Sequence, residues 1–157
     1  MSRSGYNDCD DGDYWQFICW RGAVTSAMNG RRGQAFLREM LDAMDALPEP
    51  KLTAHELVSH VGPRGPLKIP KACAIGTVAL KRGVDVSNLD PENYDAVANA
   101  FGISSALARE IVYINDEWEQ DPVKRFYAVR RWVKASIIGP VIIEDESGRW
   151  ADDGGRV

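Results

Sequence analysis

From Gly33 to Leu47 the apolar residues fall at Phe36, Leu37, Met40, Leu41, Met44 and Leu47, while Arg38, Glu39, Asp42 and Asp45 fall mostly on the other side. Steps of three and four place side chains on one face of a helix, so this stretch predicts a helix with one buried stripe. Pro48 and Pro50 stop it, because proline lacks the N–H that a further turn needs. The same pattern recurs along the chain. Between Tyr14 and Met28, residues Trp15, Ile18, Cys19, Ala23 and Ala27 recur at helical steps and predict one buried face. Asn29-Gly30 ends that helix, since both residues tolerate the left-handed conformation of a helix stop.

Ala72 to Arg82 is small and apolar, and its periodicity suits a helix or a buried strand. Ala72, Ala74 and Ala79 beside Leu80, with Gly83 as the stop, favour the helix. Asp90-Pro91-Glu92 reads as a cap followed by a first-turn proline, opening a helix with Tyr94, Val97, Ala98 and Phe101 inward and Gly102 at its end. Ser104 caps the next, whose stripe is Leu107, Ala108, Ile111, Val112 and Ile114. Asp121-Pro122 opens the last, with Phe126, Val129, Trp132, Val133 and Ile137 inward and Gly139-Pro140 as terminator. Lys51 to His60 has room for a short helix, and Gly62, Pro63, Gly65, Pro66 and Pro70 make a loop. The expected fold is all-α, a compact bundle of five to six helices. Val141-Ile142-Ile143 is the place for a short C-terminal strand.

The expected organisation is an acidic arm over 1–13, carrying Asp8, Asp10, Asp11 and Asp13, one helical domain over 14–139, and an acidic, Gly-rich tail over 140–157. A length of 157 residues and 45% hydrophobic content suffice for one core. Nineteen Lys and Arg against 23 Asp and Glu give a net charge of −4, which argues against wholesale coating of nucleic acid and leaves room for a local basic face. The three cysteines, Cys9, Cys19 and Cys73, form no Cys-x-x-Cys pair. Neither a disulfide framework nor a zinc site is expected, and a reducing compartment fits. The N-terminal stretch has no apolar core of a secretory signal, and no apolar run approaches the ~20 residues that span a bilayer. A soluble, cytoplasmic protein with no membrane partner and no cofactor is expected.

Four constellations can carry chemistry. Asn29-Gly30-Arg31-Arg32-Gly33-Gln34 stands directly before the long helix. A helix N-terminus offers unpaired N–H groups and a positive dipole end, glycines admit close approach, and guanidiniums clamp phosphate or carboxylate. Arg38 lies one turn further in. Arg31, Arg32, Gly33, Gln34 and Arg38 are therefore the candidate binding residues. They suit equally a solvated turn whose arginines pair with local acids. Without a Gly-Lys-Ser/Thr ending, the segment is not a Walker loop.

Ala98 to Ile111 has the cadence of a helix-turn-helix. Its second helix would offer Ser105, Arg109 and Glu110, then Asp116 and Glu117, poor equipment for a polyanion, and a helical hairpin in the core explains it as well. On the last helix Lys124, Arg131 and Lys134 lie close to one face with Tyr127 among them and Arg125 and Arg130 nearby. That stripe can track a phosphate backbone, dock the acidic arms, or simply face solvent. Acidic residues recur on the helices at Glu39, Asp42 and Asp45, and at Glu110, Asp116 and Glu117. Facing pairs of that kind hold Mg²⁺ in all-α pyrophosphohydrolases, but only Glu39-x-x-Asp42 has the tight spacing.

Catalytic sets are thinner. His55 and His60 are five apart and do not share a helical face, no Gly-x-Ser-x-Gly is present, and no cysteine has an evident His partner. Cys73 reads as a small core residue, and Trp15, Trp20, Trp118 and Trp132 as filling core or interface volume.

Cys19-Trp20-Arg21-Gly22-Ala23-Val24, Arg32-Gly33-Gln34-Ala35-Phe36-Leu37 and Asp42-Ala43-Met44-Asp45-Ala46-Leu47-Pro48 carry a resemblance. So do Ala72-Cys73-Ala74-Ile75-Gly76, Ala108-Arg109-Glu110-Ile111, Asn115-Asp116-Glu117 and the Met-Ser-Arg-Ser-Gly-Tyr start. Over most of residues 1–135 the chain resembles a family of small proteins encoded by tailed bacteriophages and prophages. The resemblance brings no catalytic assignment. It implies an accessory protein that acts stoichiometrically in the bacterial host, by binding a host protein or sequestering a nucleotide, as counter-defence proteins such as anti-CRISPR proteins do. The expected function is a binding protein, leaning away from catalysis, with an Arg-rich surface for a host protein or an anionic ligand. Homo-oligomerisation stays open. The alternatives are a helix-turn-helix DNA-binding regulator over 91–115 and a metal-dependent nucleotide pyrophosphohydrolase using Glu39, Asp42 and Glu110.

Overall fold

Six helices and one pair of two-residue strands occupy the described residues, 14–59 and 70–139, of the computed structural model. The order is α1 (Tyr14–Asn29), α2 (Arg31–Asp45), β1 (Val58–Ser59), β2 (Lys71–Ala72), α3 (Ala74–Arg82), α4 (Tyr94–Phe101), α5 (Ser105–Glu117) and α6 (Pro122–Ser136). The all-α bundle is therefore the observed fold. The expected arm over 1–13, the loop residues Gly62, Pro63, Gly65 and Pro66, and the tail over 140–157 with its strand lie outside the described residues.

α5 is the centre of the bundle and packs against α1, α3, α4 and α6, while α2 packs against α1, α3 and α6. Apart from α1, the helices bury the stripes their spacing announces. Leu37, Met40, Met44, Ile75, Leu107, Ile111 and Ile114 are fully buried in one core. Burying a side chain of this size contributes about 1.5–3 kcal/mol, so the stripes hold the helices together. The ends follow from local chemistry. Ser104 accepts from Leu107 N–H at the start of α5, Asp121 from Val123 and Lys124 N–H at the start of α6, and left-handed Gly83 and Gly102 close α3 and α4. Cys73 is buried, as expected, and its sulfur accepts from Gly76 N–H at the start of α3.

The structure corrects the sequence reading in five places. Lys51 to Ser59 is not helical: its backbone groups reach outward instead, with Leu52 N–H donating to Pro122 O and Thr53 N–H to Ala72 O, and Val58–Ser59 pairs antiparallel with Lys71–Ala72. Asp90-Pro91-Glu92 forms a turn in which Asp90 accepts from Glu92 N–H, and Asn93 caps α4 instead. Gly30 is extended, at φ −68°, and serves as the N-cap of α2, so α1 and α2 meet at an elbow without a left-handed stop. In α1 the expected face is wrong: Trp15, Ile18, Cys19 and Ala23 are exposed, and Val24 is buried, with Ala27 and Met28 packed on the core. The start of α1 is apolar all round, so spacing could not choose the side. Finally, of the core or interface volume expected of the tryptophans, the core is excluded for Trp15 and Trp118, which are 72% and 49% exposed.

Candidate functional site

Arg31 and Arg32 are the first two residues of α2, and both are exposed. The helix has no side-chain cap at Gly30 and no acid in its first turn. The positive end of its dipole is therefore not opposed by a carboxylate of its own first turn. Arg31 and Arg32 make no hydrogen bond or ion pair among the described residues. Other arginines behave differently. Arg21 binds Glu110, Arg82 binds Glu39, Arg130 binds Asp45, and Arg125 is buried with its guanidinium donating to Leu52 O and Gln120 O. Arg109 lies over the rings of Tyr94 and Trp20, at 4.8 and 5.5 Å.

The other three candidates hold the platform. Gly33 is buried where α2 crosses the last turn of α1, and a Cβ there would stand 1.9 Å from Ala27 O. Gln34 donates to Met28 O at 2.8 Å and Ser136 O at 2.9 Å, and accepts from Ile138 N–H at 2.8 Å. Arg38 donates to Ile138 O at 2.7 Å. One amide thus ties the end of α1, the start of α2 and the end of α6 together. The sequence placed these residues in one site by proximity. The structure separates two outward cations from Gln34 and Arg38, whose side chains bond the protein's own backbone, and from Gly33, which lets α2 approach the backbone of α1.

That clamp brings the C-terminal turn of α6 to the same end of the bundle. On α6, Lys124, Tyr127, Arg131 and Lys134 are all exposed, and the three cations make no ion pair among the described residues. Arg131 also lines a groove of about 420 Å³ with Trp118, Glu119, Ala128, Trp132 and Ala135. Sequence reading identified the basic stripe but left Trp118 between core and interface volume, and the structure puts it at the surface. Its position one residue past a helix of fully internal stripe was the missed signal.

The alternative constellations are occupied internally. Within α5, Glu110 is buried beside Arg21, Arg109 is stacked, and Ser105 bonds Asp95, so these side chains of a would-be recognition helix face their own fold. Glu39 is bound to Arg82 at 2.7 Å and Asp42 lies 3.9 Å from Lys81. Among the described residues no group of three or more His, Cys, Asp or Glu is placed to hold a metal ion, and no helix is long and apolar enough to cross a membrane.

The Arg82 hydrogen bond holds the Glu39 carboxyl below its ordinary value of 4.5. A carboxylate with a lowered folded pKa stabilises the protein fully above its unfolded pKa and loses that contribution as pH falls through the folded one. Glu39→Gln should therefore cost stability at neutral pH and little at acid pH, bringing the two urea midpoints closer together than in the wild type. An unchanged difference between the midpoints would show that the pair is not linked to folding. No family model, curated protein or solved structure matches the chain.

Proposed function

We propose that the chain is a binding protein that acts by occupancy, taking an anionic ligand at the N-terminus of α2. The observation that carries this reading is the exposed Arg31–Arg32 pair, without partners among the described residues, at a helix end with neither a side-chain cap nor an acid in its first turn. A phosphate or carboxylate there meets two guanidiniums, the first-turn N–H groups and the helix dipole together. Gly33, Gln34 and Arg38 contribute by keeping that end rigid, so little ordering cost falls on binding. The phage-type resemblance supports a component of a bacterial host's cytoplasm as the source of the anion. The chain then serves as an accessory, counter-defence protein of the anti-CRISPR kind.

Inorganic polyphosphate is a suitable probe because it carries the charge alone. Arg31→Ala/Arg32→Ala should weaken its binding by about tenfold or more at low salt, as expected for losing two charge-assisted contacts. The melting temperature should stay near that of the wild type, since neither side chain touches the core. Raising salt should weaken the wild type more steeply than the double variant. Equal affinities for the two proteins would reject this location of the site.

A further inference from the structure

The α5–α6 face carries a second set of features that the anion site does not use. Lys124, Tyr127, Arg131 and Lys134 follow one another at spacings of three, four and three, which places them on one side of α6. All four are exposed, Tyr127 to 53%. Beside them the groove of about 420 Å³ is walled by two indoles, Trp118 and Trp132, with Arg131 on its rim and the alanines Ala128 and Ala135 in its lining. The alanines leave room for a flat group, and an indole half-open to solvent at 49% exposure is a surface on which such a group can stack.

We infer that this face binds single-stranded nucleic acid, with phosphates along Lys124, Arg131 and Lys134 and an unpaired base in the Trp118–Trp132 groove. The inference goes beyond the anion site at α2: it adds a second surface with its own ligand and stands separately from that site. Charge complementarity selects the class. Three cations without an ion pair among the described residues, set at helical intervals, match a repeating anion. Two tryptophans beside them match a chain whose repeating unit carries a flat ring. An acidic peptide supplies the charge without the ring, and a duplex keeps its bases stacked out of reach. Glu119 is the one acid among the described residues that line the groove, so it disfavours phosphate on its own side and leaves the Arg131 side for the backbone. Because Gln34 binds both Met28 O and Ser136 O, this track runs toward the end of the bundle where Arg31 and Arg32 stand.

The test is titration of the full chain with a labelled oligothymidylate of about a dozen nucleotides, followed by anisotropy and tryptophan fluorescence. The wild type should bind and its tryptophan emission should be quenched. With three phosphates neutralised on the track, the logarithm of the association constant should fall against that of salt with a slope of about −2. Trp118→Leu keeps the side chain apolar and removes the ring, and it should weaken binding by about tenfold or more, whereas Trp118→Phe should retain most of it. Arg131→Ala should weaken binding and flatten the salt slope. Equal affinity for a duplex of the same sequence, or Trp118→Leu binding as the wild type does, would overturn the inference. Loss of polyphosphate binding in Arg31→Ala/Arg32→Ala alongside oligothymidylate binding indifferent to Trp118 sinks this inference and leaves the anion site standing. The reverse pattern sinks the anion site and keeps this one.

Discussion

Gly76→Ala should lower the melting temperature by roughly 10 °C, the equivalent of about 3 kcal/mol of overpacking in a chain of this size. Helix propensity alone gives the opposite sign, because alanine in a helix interior is favoured over glycine by about 1 kcal/mol. The geometry decides. A Cβ at Gly76 would stand 1.8 Å from Leu57 O and 2.7 Å from Leu57 C. Those are backbone atoms, and Leu57 O is already engaged by Cys73 N–H at 3.0 Å. The clash cannot be relieved by turning a side chain, so α3 must move off the segment that leads into β1. Gly33→Ala meets the same argument at Ala27 O, 1.9 Å away, and there the displaced element is the elbow that presents Arg31 and Arg32. Thermal unfolding followed by circular dichroism reads both effects. A melting temperature equal to or above that of the wild type would show that propensity wins and that the close approaches are not held.

The helices were legible because their signals are local. The α2 stripe, the Ser104 and Asp121 caps and the glycine stops at Gly83 and Gly102 are each contained within a few residues, and each is found where the spacing puts it. Signals that depend on distant partners were not legible. Asp90-Pro91 has the form of a helix start, yet Asn93 captures the first free N–H groups of α4 and the aspartate is left to a turn. The segment after Pro50 has weak helical spacing and is held out of a helix by acceptors on β2 and on the first residue of α6. The face of α1 was unreadable because Trp15, Phe17 and Ile18 make its first turns apolar on several sides, and the packing partner chose Val24.

Within the candidate site, the sequence brought five residues together by adjacency. It could not say that Gln34 and Arg38 would spend their hydrogen bonds on Ile138, about a hundred residues away. The exposed cations could be found from sequence, because an arginine ahead of a helix with no acid nearby has no local partner to lose itself to. The buried polar residues could not. Glu110 and Asp116 look like the outer face of α5 and turn out to be interior, and Asn115 is buried beside them.

Asn115 carries the second large effect. Its side chain accepts from Ala74 N–H at 3.0 Å and donates to Thr53 O at 2.9 Å and to Asp116 Oδ1 at 2.7 Å. Asp116 in turn accepts from His55 N–H, and its other oxygen lies 3.5 Å from His55 Nδ1. His55 holds a positive φ of 65°, unusual for a residue with a side chain, and this carboxylate is what keeps it there. One amide therefore joins α5 to the start of α3 and to the extended segment after Pro50. Asn115→Ala leaves a buried donor on Ala74 unanswered at about 1–3 kcal/mol, strips a part-buried acceptor on Thr53 of its partner, and opens a cavity besides. The expected loss is about 4 kcal/mol, a large share of the ~5–15 kcal/mol that holds a domain folded. Asn115→Asp preserves the volume but removes both donated bonds and sets a second carboxylate beside Asp116. Burial and the like charge raise the folded pKa of the new acid, so its penalty is full above that value and relieved as pH falls through it. Urea unfolding should then show Asn115→Asp closer to the wild type at about pH 4 than at about pH 7, with Asn115→Ala equally destabilised at both. If both variants unfold at the wild-type midpoint, water already satisfies these groups and the amide is not the joint between the three elements.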